Sequence, residues 1–120
     1  MNREALTNKV IGVGIDVHKQ IGPGYAEKIY QRAFVLALKK SELRFEREKR
    51  FGIHFEGKLI GYQTIDFLIE KELVVELKAQ ESINNYHIAQ TLSYLKATKK
   101  KLGLVLNFGQ AKLEIKRVIL

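Results

Sequence analysis

The stretch LVVELKA, Leu73 to Ala79, has the apolar density of a buried β-strand but carries Glu76 and Lys78. Burying an isolated charge is costly unless it is paired or binds a metal. Side chains alternate along a strand, so Glu76 and Lys78 share one face and Leu77 points to the other. Just upstream, LIGYQTIDFLI brings a further carboxylate, Asp66. If the connection is the three residues Glu70 to Glu72, Ile69 faces Leu73. Counting back then sets Asp66 opposite Glu76 and Thr64 opposite Lys78. A two-residue loop would turn Asp66 toward Leu77, on the wrong face. The loop contains neither Gly nor Asn, so turn chemistry does not choose between the two registers.

Directly opposed like charges destabilise a sheet. At a few ångströms and an effective dielectric near 20, the repulsion is on the order of several kcal/mol. A shared proton relieves it. So does a divalent cation, and hard oxygen ligands of this kind suit Mg²⁺ or Mn²⁺. Lys78 would then orient or activate a water. A third arrangement is purely structural, an internal salt bridge between Glu76 and Lys78 at a sheet edge.

The elements that must position these residues follow from pattern and punctuation. Thr7 is placed to cap a first helix, with Val10, Ile11, Gly14, Val17, His18 and Ile21 at helical spacing. Gly22 and Pro23 end it. YAEKIYQRAFVLALKK predicts a second helix, with Ala26, Ile29, Ala33, Leu36 and Ala37 as its apolar stripe. Glu27, Tyr30 and Phe34 lie along a neighbouring row, which puts Glu27 in the first turn at the margin of the buried face. LRFEREKRFGIHF predicts a strand, then a turn at Gly57–Lys58, then the Asp66 and Glu76 strands. Ser82 or Asn84 caps a third helix running to about Lys99. LGLVLNFG and KLEIKRVIL close the chain as two strands around a turn near Gln110. Helix, helix, three strands, helix and two strands make an α/β sandwich with a mixed sheet.

Asp66 followed by Glu76–Leu77–Lys78 resembles the D…(D/E)-x-K signature of the PD-(D/E)XK nuclease superfamily. On the third helix, QTLSY supplies Gln90 and Tyr94, similar to the Q-x-x-x-Y motif of its RecB-like branch. GYAEKIY supplies Gly24, Glu27 and Tyr30, which matches G-x-x-E-x-x-Y, the motif naming a family of small single-domain proteins in that superfamily. VELKA, YLKAT and LVLNFG also resemble that family's stretches. The resemblance spans nearly the whole chain, residues 1–120 as one domain. Ile65 stands where the signature has its proline. The fold implied is restriction-endonuclease-like, a mixed sheet flanked by helices. The resemblance also implies that Asp66 and Glu76 bind Mg²⁺ or Mn²⁺ with the backbone carbonyl of Leu77. Glu27 would join them directly or through water, Lys78 would position the attacking water, and Gln90 and Tyr94 would hold Lys78 or substrate phosphate.

Composition bounds the rest. The chain has 120 residues, 46% hydrophobic and 28% charged, with no cysteine, so disulfides and thiolate metal sites are excluded. No apolar run approaches membrane-spanning length, and the N-terminus lacks a secretory pattern, so a cytoplasmic protein is expected. The net charge of +8 favours polyanions, and a nucleic acid, DNA or else RNA, is the expected partner. Lys96 to Lys101 also complement a helix C-terminus, and Arg47, Lys49 and Arg50 suit a solvated face. His18 and His54 have no partners at metal-ligand spacing, and His87 fits a helix start better than a substrate contact. There is no H-E-x-x-H, Walker loop or complete G-x-G-x-x-G. So small a chain has little beyond its core to select a substrate, so specificity would come from a protein partner or a self-dimer. The competing expectation is a nuclease-like module that binds nucleic acid or protein without cutting.

Overall fold

A computed structural model describes residues 1–120. The elements run α1 (Arg3–Ile21), α2 (Glu27–Lys40), β1 (Phe45–Phe55), β2 (Lys58–Ile69), β3 (Leu73–Lys78), α3 (Asn85–Thr98), β4 (Leu102–Asn107) and β5 (Glu114–Ile119). The strands form one sheet in the order β1-β2-β3-β4-β5. All neighbours are antiparallel except β3 and β4, which are parallel and joined through α3. The expected mixed α/β sheet flanked by helices is therefore the observed one.

The two faces of the sheet are covered separately. Leu73, Val75 and Leu77 pack with Leu6, Val10, Tyr30, Phe34 and Leu38 beneath α1 and α2. Val74, from the alternate position, packs with Tyr94, Leu95 and Val105 beneath α3. The central strands β3 and β4 are buried on both faces, which explains their near-continuous apolar sequence.

Three local expectations need correction. Helix α1 starts at Arg3, ahead of Thr7: Asn2 is its cap and accepts from the Ala5 N–H at 2.8 Å, while Thr7 is buried inside the helix. On α2 the buried face is Tyr30, Phe34 and Leu38; Ile29 and Leu36 of the expected stripe are exposed. The Tyr–Phe–Leu row offers more area to the sheet than the alanine-rich one, and area decides burial. The β1–β2 turn is Glu56–Gly57, with Lys58 already in β2. Gly14 stays within α1 despite its low propensity because the helix lies close on the sheet there. A Cβ at that position would meet Leu106 and Leu113 side chains at 3.1 Å.

Candidate functional site

The ladder between β2 and β3 has the three-residue-loop register, with Ile69 opposite Leu73, Leu68 opposite Val74 and Phe67 opposite Val75. Continuing it sets Asp66 opposite Glu76, but backbone pairing stops one rung short. In its place the Asp66 N–H donates to Glu76 Oε2 at 2.8 Å, and the Leu77 N–H donates to Asp66 Oδ2 at 2.8 Å. The two carboxylates are wedged between the strands, each satisfying a backbone amide of the other strand. Glu76 is 3% exposed and Asp66 half-buried.

The disturbance reaches β1. Glu48 lies on the rung of Asp66, between the pairs Arg47–Phe67 and Lys49–Ile65, and has φ +52°. Ile65 packs beneath α3, whereas Phe67, two residues on, packs beneath α1 and α2. Strict alternation would put both on one face. Alternation is thus broken at the Glu48–Asp66 rung, where β2 and β3 stop pairing through their backbones and the carboxylates bond the amides instead.

Electrostatics tie in the helices. Burial and the charge of Asp66 push Glu76 up to about 8, and Glu27 adds to the rise. Glu27, half-buried at the start of α2, is raised by burial and then by Asp66, and Lys78 lowers it. Asp66 is also raised, by burial first and further by Glu48; the Leu77 amide, Lys78 and the Gln31 side chain pull it back. Tyr94 is buried on α3 and pushed up to about 12, by burial first and then by Glu76 and Asp66, so its phenol stays protonated. Lys78 is half-buried at the end of β3 and makes no salt bridge with Glu76; the ion pairs of the protein are Arg47–Glu48 and Lys49–Glu46, both on β1. The purely structural pairing of Glu76 with Lys78 is therefore not formed.

The structure brings Glu27, Asp66, Glu76 and Lys78 within electrostatic reach of one another, and Tyr94 within reach of Asp66 and Glu76. The Leu77 side chain is fully buried while its N–H serves Asp66. Gln90 is half-buried on α3, one turn before Tyr94. The acids do not close into a compact cluster of three metal-ligating side chains. Their chemistry nevertheless fits a hard cation: the donors are all oxygen, Asp66 Oδ1 and Glu76 Oε1 lie outside the two bonds to backbone amides, and the carboxyls of Glu27, Asp66 and Glu76 are all raised.

Sequence reasoning did not single out Glu48 or Gln31. Glu48 shares the rung of Asp66 in the β1–β2 ladder, whose register is shifted by the irregularity at Ile53/His54 and so does not follow from counting back from the turn. Gln31 lies four residues after Glu27, one helical turn along the same side of α2. Other candidates have structural duties. The Tyr30 hydroxyl donates to the Gly22 carbonyl at 2.6 Å and accepts from the Tyr25 N–H at 3.3 Å. His87 completes a capping box with Asn84: Nδ1 accepts from the Asn84 N–H at 3.2 Å, and the His87 N–H donates to Asn84 Oδ1 at 3.0 Å. Burial and Lys78 lower its pKa. His18 bonds the Gln110 carbonyl at 2.8 Å through Nε2.

A mixed sheet with opposed acids at an opened rung and a lysine one step along the strand defines a nuclease-like α/β fold. The family model of the PD-(D/E)XK nuclease superfamily matches residues 4–118, and the chain belongs to that superfamily. No curated protein matches. Among solved structures, the crystal structure of SSO0001 aligns with TM-score 0.63 at 20% identity, over 77% of this chain and 48% of that one, a likeness of fold. This chain thus spans about half the length of that protein. No helix is long and apolar enough to cross a membrane.

Proposed function

We propose that residues 1–120 form one nuclease domain that hydrolyses phosphodiester bonds of DNA, or of RNA, with Mg²⁺ or Mn²⁺. The observation that carries this reading is the wedge of Asp66 and Glu76 between β2 and β3, with Glu27 and Lys78 in electrostatic reach. Three acids raised by burial first and by neighbouring carboxylates next are a site that gains from a doubly charged ion.

Asp66 and Glu76 would hold the ion, with the Leu77 carbonyl beside them and Glu27 from α2. When bound, a divalent ion acidifies water and neutralises charge developing on the phosphate. Lys78 contributes a cation on the same strand as Glu76, placed to orient the attacking water and offset phosphate charge. Tyr94, protonated at any ordinary pH, would donate its O–H to phosphate or accept from the Lys78 ammonium through its phenol oxygen. Gln90, one turn earlier, adds amide donors on the same side of α3.

Within the superfamily, the finer placement is among the G-x-x-E-x-x-Y proteins of the RecB-like branch. Each motif residue has a physical reason. Gly24 has φ +109°, which side chains rarely adopt; Glu27 faces the acids; Tyr30 ties the preceding loop to itself. We place its action in the cytoplasm, with a self-dimer or protein partner supplying specificity.

The test is cleavage of single- and double-stranded DNA with Mn²⁺ by the wild type, Asp66→Ala and Lys78→Ala. Both variants should lose at least about 100-fold in rate. Equal rates in all three reject the assigned site. Salt-dependent DNA binding by the wild type with no turnover under any divalent ion would favour the non-cutting module.

A further inference from the structure

Outward from the Glu48–Asp66 rung, β1 and β2 continue as a two-stranded arm. Beyond Lys49 and Ile65 each strand pairs only with the other, as far as the Glu56–Gly57 turn. One face of the arm is covered by α3, where Phe51 meets Tyr94 edge to face at 5.9 Å. The other face is open. It carries Arg50 opposite Thr64 and Gly52 opposite Tyr62, and all but the glycine are exposed.

On that face the Arg50 guanidinium lies 3.7 Å from the centroid of the Tyr62 ring. Tyr62 remains 54% exposed. Arg47 and Lys49 are each paired with a neighbouring glutamate, but Arg50 has no carboxylate partner, and its partner is the ring. A solvent-facing cation stacked on a solvent-facing aromatic contributes little to folding. It is a pre-ordered platform that a planar, negatively tethered group could extend. Tyr62 and Thr64 share this face of β2, and Asp66 follows two residues on, about 13 Å from Tyr62 along the strand, at the rung where the alternation breaks.

We propose that this open face of the arm binds an unpaired nucleic-acid strand and leads it toward the Asp66–Glu76 site, with a base stacked on the Arg50–Tyr62 pair and a phosphate on the guanidinium. The identity of the occupant rests on the nuclease reading above. The charge complementarity is local, since Arg50 is the unneutralised cation of the face, and global, since the chain carries +8. An unpaired strand is favoured over a duplex because a side-chain stack needs a free base face, which neighbouring bases cover in a helix.

The experiment is fluorescence anisotropy of labelled oligothymidine and of a duplex of equal length with the intact chain, in EDTA so that nothing is cut. The wild type should prefer the single strand. Tyr62→Ala should weaken oligothymidine binding roughly 5- to 150-fold, the range expected for one base stack. Tyr62→Phe should restore it, and Arg50→Ala should lower the dependence on salt by about one phosphate contact. Unchanged affinity in Tyr62→Ala overturns the proposal, as does equal binding of duplex and single strand. A wild-type dimer in sedimentation that Tyr62→Ala dissociates, with oligonucleotide binding unaffected, would assign the face to a second copy of the chain. Tyr62-dependent binding without cleavage under any divalent ion would sink the nuclease reading and leave the platform. Asp66-dependent cleavage with Tyr62→Ala binding normally would do the reverse.

Discussion

The phenol of Tyr30 lies nearly parallel to the ring of Phe108, with centroids 4.7 Å apart and planes 17° from each other. Tyr30 belongs to α2 and Phe108 follows β4, so the stack pins the start of α2 to the sheet. The hydroxyl simultaneously closes the Gly22–Tyr25 loop. The residue is therefore the fixture that sets where Glu27, three positions earlier, enters the site. Tyr30→Phe keeps the stack and removes the two hydrogen bonds. Urea unfolding should show a loss of about 1–2 kcal/mol, and Mn²⁺ affinity by calorimetry should fall with it because the Gly22–Tyr25 loop leading into Glu27 is no longer tied down. Unchanged metal affinity alongside the stability loss would mean that Glu27 does not reach the ion.

Glu76 makes the metal-free protein sensitive to pH in a defined direction. Its folded pKa, about 8, stands above the ordinary 4.5. Below about 4.5 both folded and unfolded chains hold the proton, and the stabilisation is complete. Between there and about 8 only the folded chain holds it, so stability falls as pH rises. Glu27 and Asp66 are raised too and act with the same sign. His87 is lowered and acts oppositely, but only below its ordinary 6.5. The clean window is therefore pH 6.5 to 8. In EDTA the urea midpoint should drop across that window, and Glu76→Gln should flatten the slope. With Mn²⁺ present, ion binding should expel protons and tighten as pH rises. A wild-type midpoint that rises with pH would contradict the assignment.

Much of this site was legible from residue types alone. The register of Asp66 against Glu76 follows from counting once the loop is taken as the three residues Glu70 to Glu72, and residue chemistry marks the caps at Gly22 and at Ser82 or Asn84, of which the structure uses Asn84. What counting could not supply was the break in the ladder. Alternation treats a strand as regular, and Glu48 at φ +52° is a departure that nothing in its identity announces. The buried face of α2 was misjudged for a related reason. Both rows have helical spacing, and the choice between them depends on which side the sheet lies, a tertiary fact. Gln31 and Glu48 escaped notice because their role comes from facing Asp66 across elements, not from any local pattern.

The β2–β3 turn that fixes this register is itself strained. The Glu72 N–H donates to the Ile69 carbonyl at 3.0 Å, and the two residues between, Glu70 and Lys71, have φ +52° and +58°. Side chains avoid this region, and turns of this hand favour Asn or Gly. Glu70 has a compensating bond, since its Oε2 accepts from the Arg44 N–H at 2.6 Å. Lys71 is exposed. Lys71→Gly should therefore raise stability by up to about 1 kcal/mol, the relief of backbone strain exceeding the added freedom of the unfolded chain. A lower urea midpoint would show that the strain at Lys71 is smaller than that entropy.

Asn107 decides how the chain leaves β3 just past Lys78, its neighbour in the parallel β3–β4 ladder. Its side chain is fully buried and fully used. Oδ1 accepts from the Gln80 N–H at 2.9 Å and the Gly109 N–H at 3.1 Å; Nδ2 donates to the Gln80 carbonyl at 2.9 Å and to Glu114 Oε1 at 3.0 Å. Gly109 lies against the Gln80 backbone so closely that no side chain fits there. Asn107→Asp matches the volume but removes both donors and sets a carboxylate against the Gln80 carbonyl and the Glu114 carboxylate. The Gln80 carbonyl loses its donor, at a cost of about 1–3 kcal/mol, and the new charge beside the Glu114 carboxylate, which keeps the Ile83 N–H, adds to that. The variant should lose about 3 kcal/mol or more in urea unfolding at neutral pH and recover part of it in acid, as the introduced carboxylate takes up a proton. The Gln80 amide should lose hydrogen-exchange protection more than the amides of α1 do, because the lesion is local to the strand exit. Since Gln80 is two residues from Lys78, cleavage by the folded fraction should fall as well. Stability within about 0.5 kcal/mol of wild type would mean the strand exit is held by the Phe108 N–H bond to the Lys78 carbonyl at 2.8 Å alone.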